Sequence, residues 1–146
     1  MSVYNNRLQT LAQRARQLMA DTEDLDESTW DLAHLTVLAA RFDYEVNNGG
    51  FEQLILNISN QGEDGVLEQL DDMLRTVNAP VALSFYIRAA TRCAENLDDY
   101  RDFLTNPTAP TELGRDLIVV SIEYLNGDIS FADEITEFLD YAQTQL

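Results

Sequence analysis

Apolar residues recur along most of the chain at intervals of three and four, the spacing that gathers them on one side of an α-helix. Tyr4, Leu8, Leu11, Ala15, Leu18 and Met19 form such a stripe near the N-terminus. From about Trp30 to Val46 apolar positions cover most of a helix's circumference, which marks a segment buried at the centre of the fold. Ser28 or Thr29 is available as its N-cap. Asn47-Asn48-Gly49-Gly50 then ends it, because Asn and Gly accept the left-handed conformation that closes helix C-termini. A short helix restarts at Phe51 and turns Phe51, Leu54, Ile55 and Ile58 to the core.

Gln61-Gly62-Glu63-Asp64-Gly65 reads as a loop and cap. A fourth helix, about Asp64 to Val77, sets Leu67, Leu70, Leu74 and Val77 opposite Glu68, Asp71, Asp72 and Arg75. Pro80 suits the first turn of a fifth, expected to bury Leu83, Tyr86, Ile87, Ala90, Ala94 and Leu97. Asp98 to Thr105 reads as a short helix, and Pro107 and Pro110 mark the longest break. A sixth helix (about Leu113 to Leu125) and a seventh (about Phe131 to Gln143) flank Asn126-Gly127. Over 117–131 a small hairpin stays open beside the helix, since Leu117-Ile118-Val119-Val120 is rich in β-branched residues and Asn-Gly favours hairpin turns. The helical spacing of Phe131, Ile135, Phe138, Leu139 and Ala142 favours the helix. The expected fold is all-α, a single domain over 1–146 built as a bundle of about six to seven helices.

Composition changes this picture in one respect. Apolar residues make up 45% of the 146, enough for a core of its own and too many for a disordered acidic tail. The charge, however, is extreme: 26 Asp and Glu against 9 basic residues, all Arg, for a formal −17. A small domain stays soluble with roughly 2 to 8 units. Such a field repels phosphates and anionic headgroups, so no direct nucleic-acid or membrane binding is expected and a basic protein partner is favoured. Residues 1–20 carry Arg7, Arg14 and Arg16 and no acid, for +3, which leaves −20 on the rest. That segment is expected to dock on the acidic remainder or on a second copy, and its apolar stripe is compatible with a homodimer.

Candidate chemistry is sparse. Cys93 is alone, which excludes an internal disulfide and a thiolate zinc cluster, and it reads as a small buried hydrophobe. His34 is the one histidine, in the middle of the expected central helix, where such residues are usually satisfied core groups. Asp24-Leu25-Asp26-Glu27-Ser28 begins like a calcium loop but lacks its central Gly, and Leu35 stands where a bidentate Glu is needed. Pairs such as Glu134 and Glu137 arise by chance among so many acids. No catalytic residue, metal or cofactor is expected, with a metal-dependent hydrolase as the remaining enzyme alternative. With no leader-like or membrane-spanning stretch in view, the expected compartment is the cytoplasm.

The acids themselves are ordered. Asp64, Glu68 and Asp71 or Asp72 form one row on a helix, Asp133, Glu137 and Asp140 another, and Asp98, Asp99 and Asp102 a further cluster. Carboxylates one turn apart lie roughly 5–6 Å apart along the axis, against one phosphate per roughly 3.4 Å of axis per DNA strand. Two adjacent rows could approximate the charge density of one strand. Solvated helix faces are the bland explanation of any single row, but solvation does not require so few basic residues after position 20.

Glu45-Val46-Asn47-Asn48-Gly49-Gly50-Phe51-Glu52-Gln53-Leu54-Ile55-Leu56-Asn57 resembles the signature of a family of small helical bacterial proteins, largely of unknown function. Glu45, Val46, Asn48, Gly49, Gly50, Phe51, Gln53 and Asn57 match, while Leu54-Ile55 replaces the usual aromatic pair. The best-known member is a DNA mimic, an acidic helical dimer that binds a transcription factor in place of DNA. The motif itself reads as architecture, with a ligand pocket at this corner as the alternative: the glycines allow a tight reversal, Phe51 plugs the space between helices, and Gln53 and Asn57 can bond exposed carbonyls at the preceding helix end.

The leading expectation is therefore a DNA-mimic-like module that occupies the basic surface of a DNA-binding protein through Glu63, Asp64, Glu68, Asp71, Asp72, Asp98, Asp99 and Asp102. The alternatives are an immunity or antitoxin protein neutralising a basic nuclease-type toxin, and a structural protein whose acids only solubilise it.

Overall fold

The computed structural model describes residues 6–60 and 65–146. Eight helices run through them: α1 (Asn6–Asp21), α2 (Glu27–Asn60), α3 (Val66–Thr76), α4 (Pro80–Glu95), α5 (Leu97–Thr105), α6 (Glu112–Leu125), α7 (Phe131–Glu134) and α8 (Thr136–Gln145). No strand occurs among the described residues. The hairpin alternative gives way to helix, since α6 buries Leu113, Leu117, Val120 and Tyr124 at helical spacing. Asn126-Gly127 closes its end, with N–H groups donating to Ile122 O at 3.0 Å and Tyr124 O at 3.1 Å.

The expected second and third helices are the two arms of α2, which departs from helical geometry only at Gly49 and Gly50. The first arm begins at Glu27 because Asp26, rather than Ser28 or Thr29, supplies the cap. Its carboxylate accepts the Thr29 hydroxyl at 2.7 Å and the Thr29 N–H at 3.2 Å. Those bonds hold the Asp26 carboxyl below the ordinary carboxylate range. Gly50 takes φ 75° and ψ −173°, a region essentially reserved for glycine. The bend is sharp. In a straight helix Phe42 and Phe51 would sit about 13 Å apart along the axis, yet their ring centroids are 6.1 Å apart.

Phe42 is the hub of the core. Fully buried, it touches the rings of Phe51, Tyr86, Tyr124 and Phe131, with centroids 5.0–6.5 Å apart. Leu8, Leu11, Ala12 and Ala15 of α1 join the same cluster, as do Leu70, Met73 and Leu74 of α3. The expected seventh helix breaks at Ile135 into α7 and α8. Ile135 keeps its N–H on Phe131 O at 3.1 Å, so the chain is re-aimed without leaving that donor unpaired. Glu134 thereby reaches the start of α4 and accepts the N–H groups of Val81 and Ala82 at 2.5 and 3.1 Å. A carboxylate there satisfies orphan donors and meets the positive end of the helix dipole.

Several buried faces are rotated from the expected ones. Helix α4 buries Ala82, Tyr86, Ala89 and Cys93, whereas Ile87 and Leu97 are exposed. The alanine side lies inward where α4 packs between α3 and α6, since small side chains let helix backbones approach. Helix α3 buries Val66, Leu70, Met73 and Leu74 but leaves Leu67 outside. In the first arm of α2, Trp30 and Tyr44 are exposed rather than part of the core. His34 is half-buried and stacks on Trp30 at 5.0 Å, a flank position rather than a core one. No helix of the described residues is long and apolar enough to cross a membrane.

Burial pushes the Cys93 thiol up to about 11 and raises the Tyr86 and Tyr124 phenols well above 10, with nearby acids adding to both phenol shifts. The folded chain keeps these protons while the unfolded chain releases its own from about pH 9 upward, so stability must fall as pH rises beyond 9. Urea midpoints measured in steps from pH 8 to 11 are expected to drop over that interval. A flat profile would mean that these groups are open to solvent.

Candidate functional site: two acidic banks and a polar corner

Charge is distributed by the helices that flank α4. Glu68, Asp71 and Asp72 lie on the outward side of α3, and with Leu67, Tyr86 and Ala90 they line a groove of about 350 Å³. Asp71 is half-buried and pairs with Arg75 at 2.6 Å, whereas Glu68 and Asp72, one turn apart, are exposed and form no ion pair among the described residues. Glu63 and Asp64, the expected head of this row, lie outside the described residues.

The second bank lies on the first two turns of α5. Asp98 and Asp102 are exposed, again one turn apart. Asp99 turns inward instead, its Oδ2 accepting the Leu113 N–H at the start of α6 at 3.4 Å. Between the banks, Leu67, Ala90, Cys93, Ala94, Leu97 and Tyr100 enclose an apolar notch of about 240 Å³. The acids on this side are therefore two pairs across an apolar gap, not one unbroken row.

Elsewhere, carboxylates serve the fold. The row Asp133, Glu137 and Asp140 is split by the break at Ile135, and Asp140 pairs with Arg7 of α1 at 2.7 Å. Arg7 also donates to Gln143 Oε1 at 2.9 Å, so the basic N-terminal helix docks on the acidic C-terminal one. Glu134 caps α4, each of its oxygens accepting a backbone N–H. Arg88 holds Glu123 at 2.8 Å, and Arg92 lies 3.8 Å from Asp116 and 3.9 Å from Glu95.

The bend of α2 builds a separate polar corner. Glu45 Oε2 accepts from Gln53 Nε2 at 2.9 Å and from Asn57 Nδ2 at 2.7 Å. Asn48 Nδ2 donates to Gln53 Oε1 at 3.2 Å. The two amides therefore bond a carboxylate rather than backbone carbonyls at the end of the first arm, because an ionised acceptor binds N–H donors more strongly than a neutral one. Phe51 N–H donates to Ser121 Oγ at 2.8 Å. The Ser121 hydroxyl faces both Glu52 Oε1 at 2.5 Å and Leu117 O at 2.9 Å. Ser121 and Glu52 were not singled out by sequence reasoning; the available signal was a lone hydroxyl in the apolar run of α6. Glu45, Asn48, Gly49, Gln53 and Asn57 line one wall of an open cavity of about 770 Å³, whose other wall holds Pro107, Thr111 and Arg115. Gly50 and Phe51 serve the bend behind it.

A family model described as DMP19-like protein matches residues 31–116, more than half of the chain, from the first arm of α2 to the start of α6. Nothing among the curated proteins matches the chain, and no solved structure matches it.

A Cβ on Gly50 would collide with the Glu52 carboxylate and approach Ser121 Oγ to 2.6 Å, in a backbone region hostile to side chains. Gly50→Ala is expected to lower stability by roughly 1–3 kcal/mol from strain alone, read as a fall in urea midpoint with helical circular dichroism retained in buffer. An unchanged midpoint would remove the bend from the architecture of the fold.

Proposed function

Since the chain belongs to the DMP19-like protein family, we propose that it is an acidic protein-binding module that takes the place of DNA on the basic surface of a DNA-binding protein such as a transcription factor. On this reading it works by binding, in the cytoplasm, with no catalytic step and no cofactor. The observation that carries it is the pair of exposed carboxylate couples, Glu68 with Asp72 and Asp98 with Asp102, on the two helices that flank α4, with no ion pair among the described residues. Each couple is spaced about 6 Å along its helix axis, close to two phosphate intervals of one DNA strand. The rigid helices hold this charge in place before the partner arrives, and the surplus of −20 beyond residue 20 speeds encounter with a basic surface.

A homodimer belongs to the same proposal. Val119, Ile122 and Leu125 of α6 are exposed, and Ile87 and Val119 share a shallow pocket with Arg88, Arg92 and Asp116. Here acids are already paired with arginines. A second copy of so negative a chain meets least repulsion on such a face. Ile122→Glu is expected to shift sedimentation from dimer to monomer with helical circular dichroism retained; a wild-type chain that sediments as a monomer would overturn the dimer.

The functional reading is tested by affinity capture from the native lysate, elution in a salt gradient, and competition with duplex DNA. The captured proteins are expected to elute early in salt and to be displaced by DNA. The combined variant Glu68→Gln, Asp72→Asn, Asp98→Asn and Asp102→Asn should capture them at least about tenfold more weakly, chiefly through slower association. Partners that duplex DNA leaves in place, or that hold equally well to the neutralised variant, would refute the mimicry.

A further inference from the structure

The notch between the two acidic banks is lined by apolar side chains, although an acid follows Leu67 on α3 and another follows Leu97 on α5. Leu67 and Leu97 stand at its lips, 37% and 55% exposed. It shares Leu67 and Ala90 with the neighbouring groove that holds Glu68, Asp71 and Asp72. On the opposite lip, Leu97 leads directly into Asp98, with Asp102 one turn further along α5. Cys93 contributes to the lining, and burial keeps its thiol protonated and apolar near neutral pH.

We propose that this notch is an anchor pocket for one bulky apolar side chain, leucine, methionine or phenylalanine, carried on a basic amphipathic segment of a partner protein whose Arg or Lys residues lie along the two banks. The proposal rests on the acidic protein-binding reading above. Charge complementarity selects this occupant. A second copy of the chain would bring its own acids against Glu68, Asp72, Asp98 and Asp102, and an anionic lipid would meet the same repulsion. Exposed carboxylates guide and orient the approach, while a desolvated apolar anchor governs how long the complex lasts. The division explains why two leucines stay exposed between acid pairs: a phosphate-like surface alone has no use for them.

The test uses the full chain and a fluorescent synthetic helical peptide with arginines flanking one central leucine, beside a peptide in which that leucine is alanine. Wild-type protein is expected to bind the alanine peptide at least about tenfold more weakly, the loss expected when one buried leucine is trimmed. The leucine peptide alone should slow modification of Cys93, the only thiol in the chain. Ala94→Trp fills the notch from an exposed position, so folding is preserved, and it should erase the difference between the peptides while leaving salt-sensitive binding of both. Equal binding of the two peptides by wild type, both weakened by salt, would overturn the anchor and leave the acidic reading standing. Binding of neither peptide, or binding indifferent to salt, would sink the acidic reading and the anchor with it. Self-association lost in Ala94→Trp would make a second copy the occupant and likewise overturn the proposal.

Discussion

At Gly50 the chain adopts a backbone geometry that a side chain would not tolerate, and the second arm of α2 folds back along the first. Glu45 and Asn57, twelve residues apart, would be separated by about 18 Å in a continuous helix; here they share a hydrogen bond of 2.7 Å. The carboxylate of Glu45 acts as the clasp, taking two amide donors from the returning arm. Behind it, Phe51 swings against Phe42, and the Phe42 ring then gathers Tyr86, Tyr124 and Phe131 from α4, α6 and α7. Ser121 ties the same corner to α6 through the Phe51 N–H. Remove the bend, and the elements that place both acidic banks lose their common support.

A chain carrying −17 has to reconcile self-repulsion with compactness. It does so by giving its acids separate duties. Glu45, Glu52, Asp99, Asp26 and Glu134 accept hydrogen bonds that hold the bend, an inter-helix contact or a helix start. Asp71, Asp116, Glu123 and Asp140 are offset by arginines. Among the described residues Glu68, Asp72, Asp98 and Asp102 do neither, and they are exposed on helices next to α4. Glu68 and Asp98 still favour their helix starts, but their carboxylates stay open to solvent. The large cavity beside the α2 bend is a different environment, with Glu45 and Glu52 already engaged in hydrogen bonds and Arg115 on the facing wall.

The all-helical character was legible because helical spacing persists through nearly every segment, and the order of elements was legible because Gly, Asn and Pro interrupt it at distinct places. The bend was legible too, since Asn47-Asn48-Gly49-Gly50 leaves few other options. Less legible was which side of each helix turns inward. Ile87 and Leu97 have the periodicity of core residues, yet Ala82 and Ala89 take the inside of α4. Periodicity marks a stripe; the neighbours that press closest choose which stripe is buried, and those neighbours come from distant parts of the chain. The break at Ile135 followed the same logic, as α7 must leave the line of α8 for Glu134 to reach the start of α4.

The sequence by itself determined the class of structure, the sign and excess of the charge, and the residues of the bend, because each depends on local composition or spacing. Only the tertiary structure decided which carboxylates are spent inside the fold and which remain outward, and it alone brought an apolar notch between two acid pairs on α3 and α5. The physical reason is distance along the chain: Leu67 and Leu97 become opposite lips of one pocket only when α4 packs against both α3 and α5, and no periodicity within a single helix encodes that meeting.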